Sequence, residues 1–142
     1  MYFAPASVDI GPTSTRPWAR DALNFWLQRA PRAKIIMGLP AYSNDYDLTL
    51  NGKGRQIYGD LGDLLKTPSI KPVWLPYEEI NCYRYTGKDG RPHLCFASDA
   101  QSTRVHLETA KDFGITSICF WHFAAVTPSM WKTVREWAKT GR

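Results

Sequence analysis

The sequence predicts an α/β fold built on parallel strands and interrupted by a small antiparallel insertion. Three observations lead there. A helical pattern at 17–30 runs through a short loop into "AKIIMGLPAY" at 33–42, a short run apolar on both faces. Strands of that kind belong to parallel sheets whose faces are covered by helices. The same helix-then-strand order returns at 99–121. Between the two units, residues 43–97 are polar and turn-rich, with two strand-like segments, "NCYRY" and "RPHLCF", around Gly87-Lys88-Asp89-Gly90.

Residues 1–16 read as loop, with two prolines and a Ser/Thr cluster. Thr15 or Ser14 is placed to cap the helix that follows, with Pro17 in its first turn. Trp18, Ala22, Leu23, Trp26, Leu27 and Ala30 recur at helical spacing, and Pro31 ends the pattern. The next strand, 34–40, stops at Gly38 and Pro40. In the insertion a short helix is expected at 57–66, and "PVWLPYEEI" is broken by proline. A helix near 99–113 is capped by Ser98 or Asp99 and closed by Gly114. Strand 115–121 follows, then a last helix near 128–139 carrying Trp131, Val134 and Trp137 on one side. Strands 34–40 and 115–121 are expected to be parallel neighbours joined by a right-handed crossover.

Composition narrows the function classes. The chain has 142 residues, 44% apolar and 22% charged, enough for one domain with its own core. Net charge is +5, but the basic residues are scattered and never form a run of five, so no nucleic-acid partner is expected. No apolar run approaches the ~20 residues of a membrane span, so no membrane partner is expected either. No basic and then apolar leader follows Met1. The compartment is left open, a secreted or cell-envelope parent included. Aromatics reach 13%, with six Trp and seven Tyr, which suits a large core or a surface that stacks on rings. Cys82, Cys95 and Cys119 have no metal-ligand spacing, and neither metal nor cofactor is expected. Cys119 reads as a small core residue. Cys82 and Cys95 face each other if Gly87–Gly90 forms a four-residue turn, and do not if Asp89-Gly90 alone turns the chain.

Two segments carry a resemblance. "KIIMGLPAYS" resembles the seventh barrel strand of glycoside hydrolase family 18, the chitinase family, and "SDAQSTRVHLETAKDFGITSICFWHF" is similar to that family's last helix and eighth strand. The hairpin between them looks like the family's small insertion after strand seven. The resemblance implies that residues 1–142 form the C-terminal portion of a (β/α)₈ TIM barrel, two of its eight strands, with the insertion at about 43–97. A closed barrel needs about 250 residues and eight strands. The missing N-terminal part of the barrel is therefore an expected partner, since two strands leave open apolar edges. Ser43 stands where the family often has Gly, and His106 where it often has Lys. The family's Asp-rich segment ending in a catalytic Glu on strand four is not found in these residues. In "MYFA", Phe3 and Ala4 stand where the sixth-strand motif has Tyr and Asp, and the true motif is expected just upstream. No catalytic residue is assigned.

The reaction implied is retaining hydrolysis of N-acetylglucosamine-containing glycans, chitin or related β-1,4-linked polymers. In it the substrate's own acetamido group attacks the anomeric carbon, an exception to the two-carboxylate scheme. An oligosaccharide or polysaccharide is the expected ligand, with Trp121, Tyr42 and Asp45 as substrate-binding residues. Trp121 ends its strand at the barrel face where ligands bind, and its indole suits the apolar face of a pyranose, unless it merely plugs the core. Tyr42 ends the other strand and either contacts sugar or packs under the insertion. Asn44, Asp45 and Asp47 are read on an exposed loop, as hydroxyl ligands or as turn formers. His122 reads as structural. Trp74, Tyr77, Tyr83 and Tyr85 either wall a groove or make a local core, and Trp18, Trp26, Trp131 and Trp137 read as core. Two alternatives stand beside the enzyme: a non-catalytic chitinase-like lectin, and a plain α/β domain with no sugar ligand.

Overall fold

Thr15 starts the first helix. Its hydroxyl accepts the Trp18 N–H at 3.2 Å, and Pro17 sits where an N–H has no helical partner. In the computed structural model, which describes residues 10–49, 53–58, 61 and 67–140, helix α1 runs Arg16–Leu27. It ends before residue 30 because the Arg29 and Ala30 N–H groups both turn back to the Trp26 carbonyl, and Pro31 disfavours helical geometry at the residue before it. A 3-10 turn, Arg32–Lys34, leads into β1, Met37–Pro40.

Two further strand and helix segments complete this layer. Strand β7, Ile118–Trp121, lies parallel to β1 with Met37 opposite Ile118 and Pro40 opposite Trp121. The expected parallel neighbours are therefore present, three residues shorter at each start. Helix α2, Ala100–Asp112, is fixed at both ends. The Asp99 carboxylate accepts the Ser102 N–H at 2.8 Å, and the Ser102 hydroxyl accepts the Asp99 N–H at 2.9 Å. At the other end Gly114 takes φ +64°, which lets the Ile115 N–H reach the Ala110 carbonyl at 2.8 Å. Helix α3 spans Pro128–Thr140.

The core follows from the alternation along β1 and β7. Met37 and Leu39 point to the helices and pack with Ala19, Leu23, Leu107, Ala110 and Ile115. Each of the larger side chains, Leu23, Met37, Leu39, Leu107 and Ile115, contributes roughly 1.5–3 kcal/mol by leaving water. Gly38, Cys119 and Trp121 point the other way and are exposed. Cys119 is therefore not a core residue: its strand is covered on one face only. Trp18 and Trp26 are also not core, at 42% and 55% exposure, because they lie beside the edge of β1 that no strand pairs among the described residues.

The insertion is one five-stranded antiparallel sheet, in the order β3-β2-β6-β5-β4. Its strands are β2 Tyr42–Asp47, β3 Lys53–Tyr58, β4 Val73–Leu75, β5 Ile80–Thr86 and β6 Pro92–Ala97. The polar stretch after Tyr42 is thus not a loop. It pairs on both sides, with β3 and β6, and its polar side chains find partners inside the sheet. Of the helix expected at 57–66, Ile57 and Tyr58 belong to β3, and 59–60 and 62–66 lie outside the described residues. Residues 87–91 form a five-residue connection, so Tyr83 faces Cys95 and Cys82 faces Phe96. Both turn lengths considered from sequence are superseded. The two cysteines fall on opposite faces of the sheet, and all three cysteines are free.

The two layers are tied together. Arg16 pairs with Glu79 at 3.1 Å, the Tyr46 hydroxyl donates to the Gly11 carbonyl at 2.9 Å, and Asn81 donates to Asp99 at 2.8 Å. Among the described residues no helix is long and apolar enough to cross a membrane.

Candidate functional site

Parallel pairing brings the C-terminal ends of β1 and β7 to one rim. Pro40 lies opposite Trp121, and the Ala41 N–H donates to the Trp121 carbonyl at 2.9 Å. The chain then leaves the sheet into a 3-10 turn over Phe123–Ala125. Trp121 keeps half of its surface exposed there. The strand stops before His122, which is half-buried.

Tyr42 is the first residue of β2, directly after Ala41, and is 2% exposed. A hollow of about 230 Å³ is shared by Tyr42 and Trp121, with walls from Trp18, Trp26, Leu39 and Phe120. Two of the three expected ligand residues thus meet at one place. The lining is chiefly hydrocarbon and ring, so it can accept the apolar face of a ring-shaped ligand and offers little to a charged one.

Asp45 is not at this hollow. Its side chain is fully buried in the insertion sheet and its oxygens are occupied. Oδ1 accepts the Tyr85 hydroxyl at 2.8 Å, and Oδ2 accepts Arg55 Nε at 2.9 Å and meets His93 Nδ1 at 3.0 Å. The exposed-loop reading of Asp45 is corrected accordingly: strand pairing buries it, and three donors satisfy it, so no sugar hydroxyl reaches it. Asp47 is likewise buried. Its carboxyl is held down to about 2 by the Thr49 hydroxyl bond and the Arg91 guanidinium, against the effect of burial. Asn44 lies between Gln56 and Phe96 in the sheet.

The network around Asp45 was not legible as a site in the sequence. Arg55, Tyr85 and His93 come from three different strands, and only the register of the sheet brings them together. Their alternation with Cys95 was the available signal, since Tyr83, Tyr85, His93 and Cys95 share one face. Burial pushes the Tyr85 phenol up, helped by the neighbouring Asp45, and pushes the Cys95 thiol up to about 12. Asp47, Asp89 and His93 place ligand-type atoms within 4.8 Å of one another. Arg91 and Thr49 already take Asp47, so the cluster is an ion-pair network.

The Chromobacterium violaceum chitinase superimposes on 94% of the chain with a TM-score of 0.82 and 24% identity, using 42% of its own length. In sequence the chain is 24% identical over 131 residues to the uncharacterized glycosylase YvbX of Bacillus subtilis, covering 91% of this chain and 38% of that protein. It is 23% identical over 126 residues to the cortical fragment-lytic enzyme of the same organism, covering 86% of this chain and 28% of that protein. No protein-family model matches. The chain thus resembles, in sequence and fold, the C-terminal portion of a chitinase-like glycoside hydrolase of family 18, and it spans about two-fifths or less of these relatives.

Proposed function

We propose that residues 1–142 are the C-terminal portion of a TIM-barrel glycosidase, with residues 43–97 as its insertion, and that the intact parent hydrolyses N-acetylglucosamine-containing glycans with retention, assisted by the substrate's acetamido group. The observation that carries this reading is Trp121, half-exposed at the C-terminal end of a parallel strand. Ligands of barrel enzymes bind at that end. Trp121 is the floor on which a pyranose stacks, and Tyr42 is a wall beneath it. Asp45 acts at one remove, by holding the insertion together.

The missing N-terminal part of the barrel is the partner of the open β1 edge. Its contact surface is Trp18, Trp26 and Ile36, all well exposed beside that edge. The parent supplies the proton donor, whose loss typically costs ~10²–10⁴-fold. The test is product analysis on a chitooligosaccharide. The parent should release product with the β-anomer formed first, and the 142-residue chain alone should give no turnover. Hydrolysis by the chain alone, or inversion by the parent, would contradict the proposal.

A further inference from the structure

His93 occupies a position that neither the sugar rim nor the barrel resemblance explains. It is buried on β6, and both of its ring nitrogens meet carboxylates: Nδ1 lies 3.0 Å from Asp45 and Nε2 lies 3.3 Å from Asp89. Ionised carboxylates only accept, so both contacts are hydrogen bonds only when the ring carries two protons. Asp45 is immobile in the sheet, while Asp89 belongs to the 87–91 connection and is nearly half exposed.

The connection is shaped for this contact. A Cβ at Gly87 would stand 2.6 Å from the Asp89 carboxylate and 2.8 Å from His93 Nε2, so only glycine lets the two groups approach. The same residues border a cavity of about 510 Å³ that Arg55, Tyr85, Asp89 and His93 line with Thr67 and Ile70. We propose that His93 is a pH-operated latch: its imidazolium ties Asp89 to the buried Asp45 and holds the 87–91 connection at the rim of this cavity, and loss of one proton releases the connection.

The surrounding charges decide the direction. From β2, Asp45 and Asp47 are negative. From β3, Arg55 is positive but is paired to Asp45, and from β5 Tyr85 stays neutral because its phenol is pushed up. In the connection Lys88 and Asp89 oppose each other, Arg91 is spent on Asp47, and on β6 the Cys95 thiol is neutral. Burial acts to lower the His93 pKa, but the bonds to Asp89 and Asp45 outweigh it and the net shift is upward. Asp89 is lowered, first by the Arg91 N–H and then by His93. Below its unfolded value near 6.5 the ring makes both bonds. As pH rises through the raised folded value, the remaining proton stays on Nδ1 facing the buried Asp45, and the Nε2 lone pair faces Asp89.

The test is NMR titration of the His93 ring beside solvent exchange of the Gly87 and Gly90 amides, corrected for the intrinsic pH dependence of exchange. These amides bond within the connection, to Arg91 and Gly87 carbonyls. Their protection should fall roughly three- to tenfold through the His93 midpoint, the worth of about one hydrogen bond. Asp89→Asn should lower that midpoint and remove the step, and Gly87→Ala should do the same by separating the two groups. Protection without a step at the His93 midpoint, or a midpoint unmoved by Asp89→Asn, would overturn the proposal.

Discussion

His106 shows how one buried group sets a pH response. It is 4% exposed on α2, its Nδ1 has no hydrogen-bond partner among the described residues, and burial lowers its pKa to about 4. The unfolded chain, with a value near 6.5, binds the proton more readily. Stability from this residue is therefore complete above pH ~6.5 and lost as pH falls toward 4, on the order of 3 kcal/mol in total. Urea denaturation at pH 7 and pH 4 checks this, and His106→Gln should flatten the difference. His93 has the opposite sign, since its pKa is raised, so its contribution is present in acid and lost as pH rises through the raised folded value. Neither environment was visible in the sequence. His106 was noted only as standing where a lysine is usual, and nothing in "RPHLCF" announces that His93 sits between two carboxylates.

At the scale of elements, what was legible followed from local chemistry. Thr15, Asp99 and Gly114 mark helix ends by bonds to nearby backbone, and the structure makes those bonds. Asp99 serves twice, capping α2 and accepting from Asn81 of β5. Asp99→Ala should cost about 1–2 kcal/mol, measured by thermal or chemical unfolding, more than loss of a cap in isolation. Strand β2 was missed because "YSNDYD" has the residue types of a turn, and long-range pairing with β6 overrides that preference. The hairpin was recognised but its pairing register lies one residue from either alternative, and a one-residue shift moves a side chain to the other face. That shift predicts that Cys82 and Cys95 stay unbridged under air oxidation. A thiol count after denaturation should return all three cysteines, and a mass lower by two hydrogens with those two linked would contradict the register.

At the scale of the molecule, the helix–strand rhythm at both ends was read from periodicity, while among the described residues the β1 edge is unpaired, because that sheet holds two parallel strands there. An apolar edge of this kind seeks another strand. The isolated chain should therefore self-associate, and Ile36→Lys, a change at a 64% exposed position beside that edge, should reduce the association seen by sedimentation velocity. The aromatic rim belongs to this scale too, because Trp121 and Tyr42 are far apart in sequence and meet only when β1 and β7 align. The most direct measurement is the affinity of the intact parent for a chitooligosaccharide, with and without Trp121→Ala, at matched folded fraction. Stacking on an indole is worth on the order of 1–2 kcal/mol, so binding should weaken about five- to thirtyfold while the melting temperature changes little. Unchanged affinity in a folded variant, or a loss of ~3–5 kcal/mol in folding as for a buried tryptophan, would contradict the assignment of Trp121 as the sugar floor.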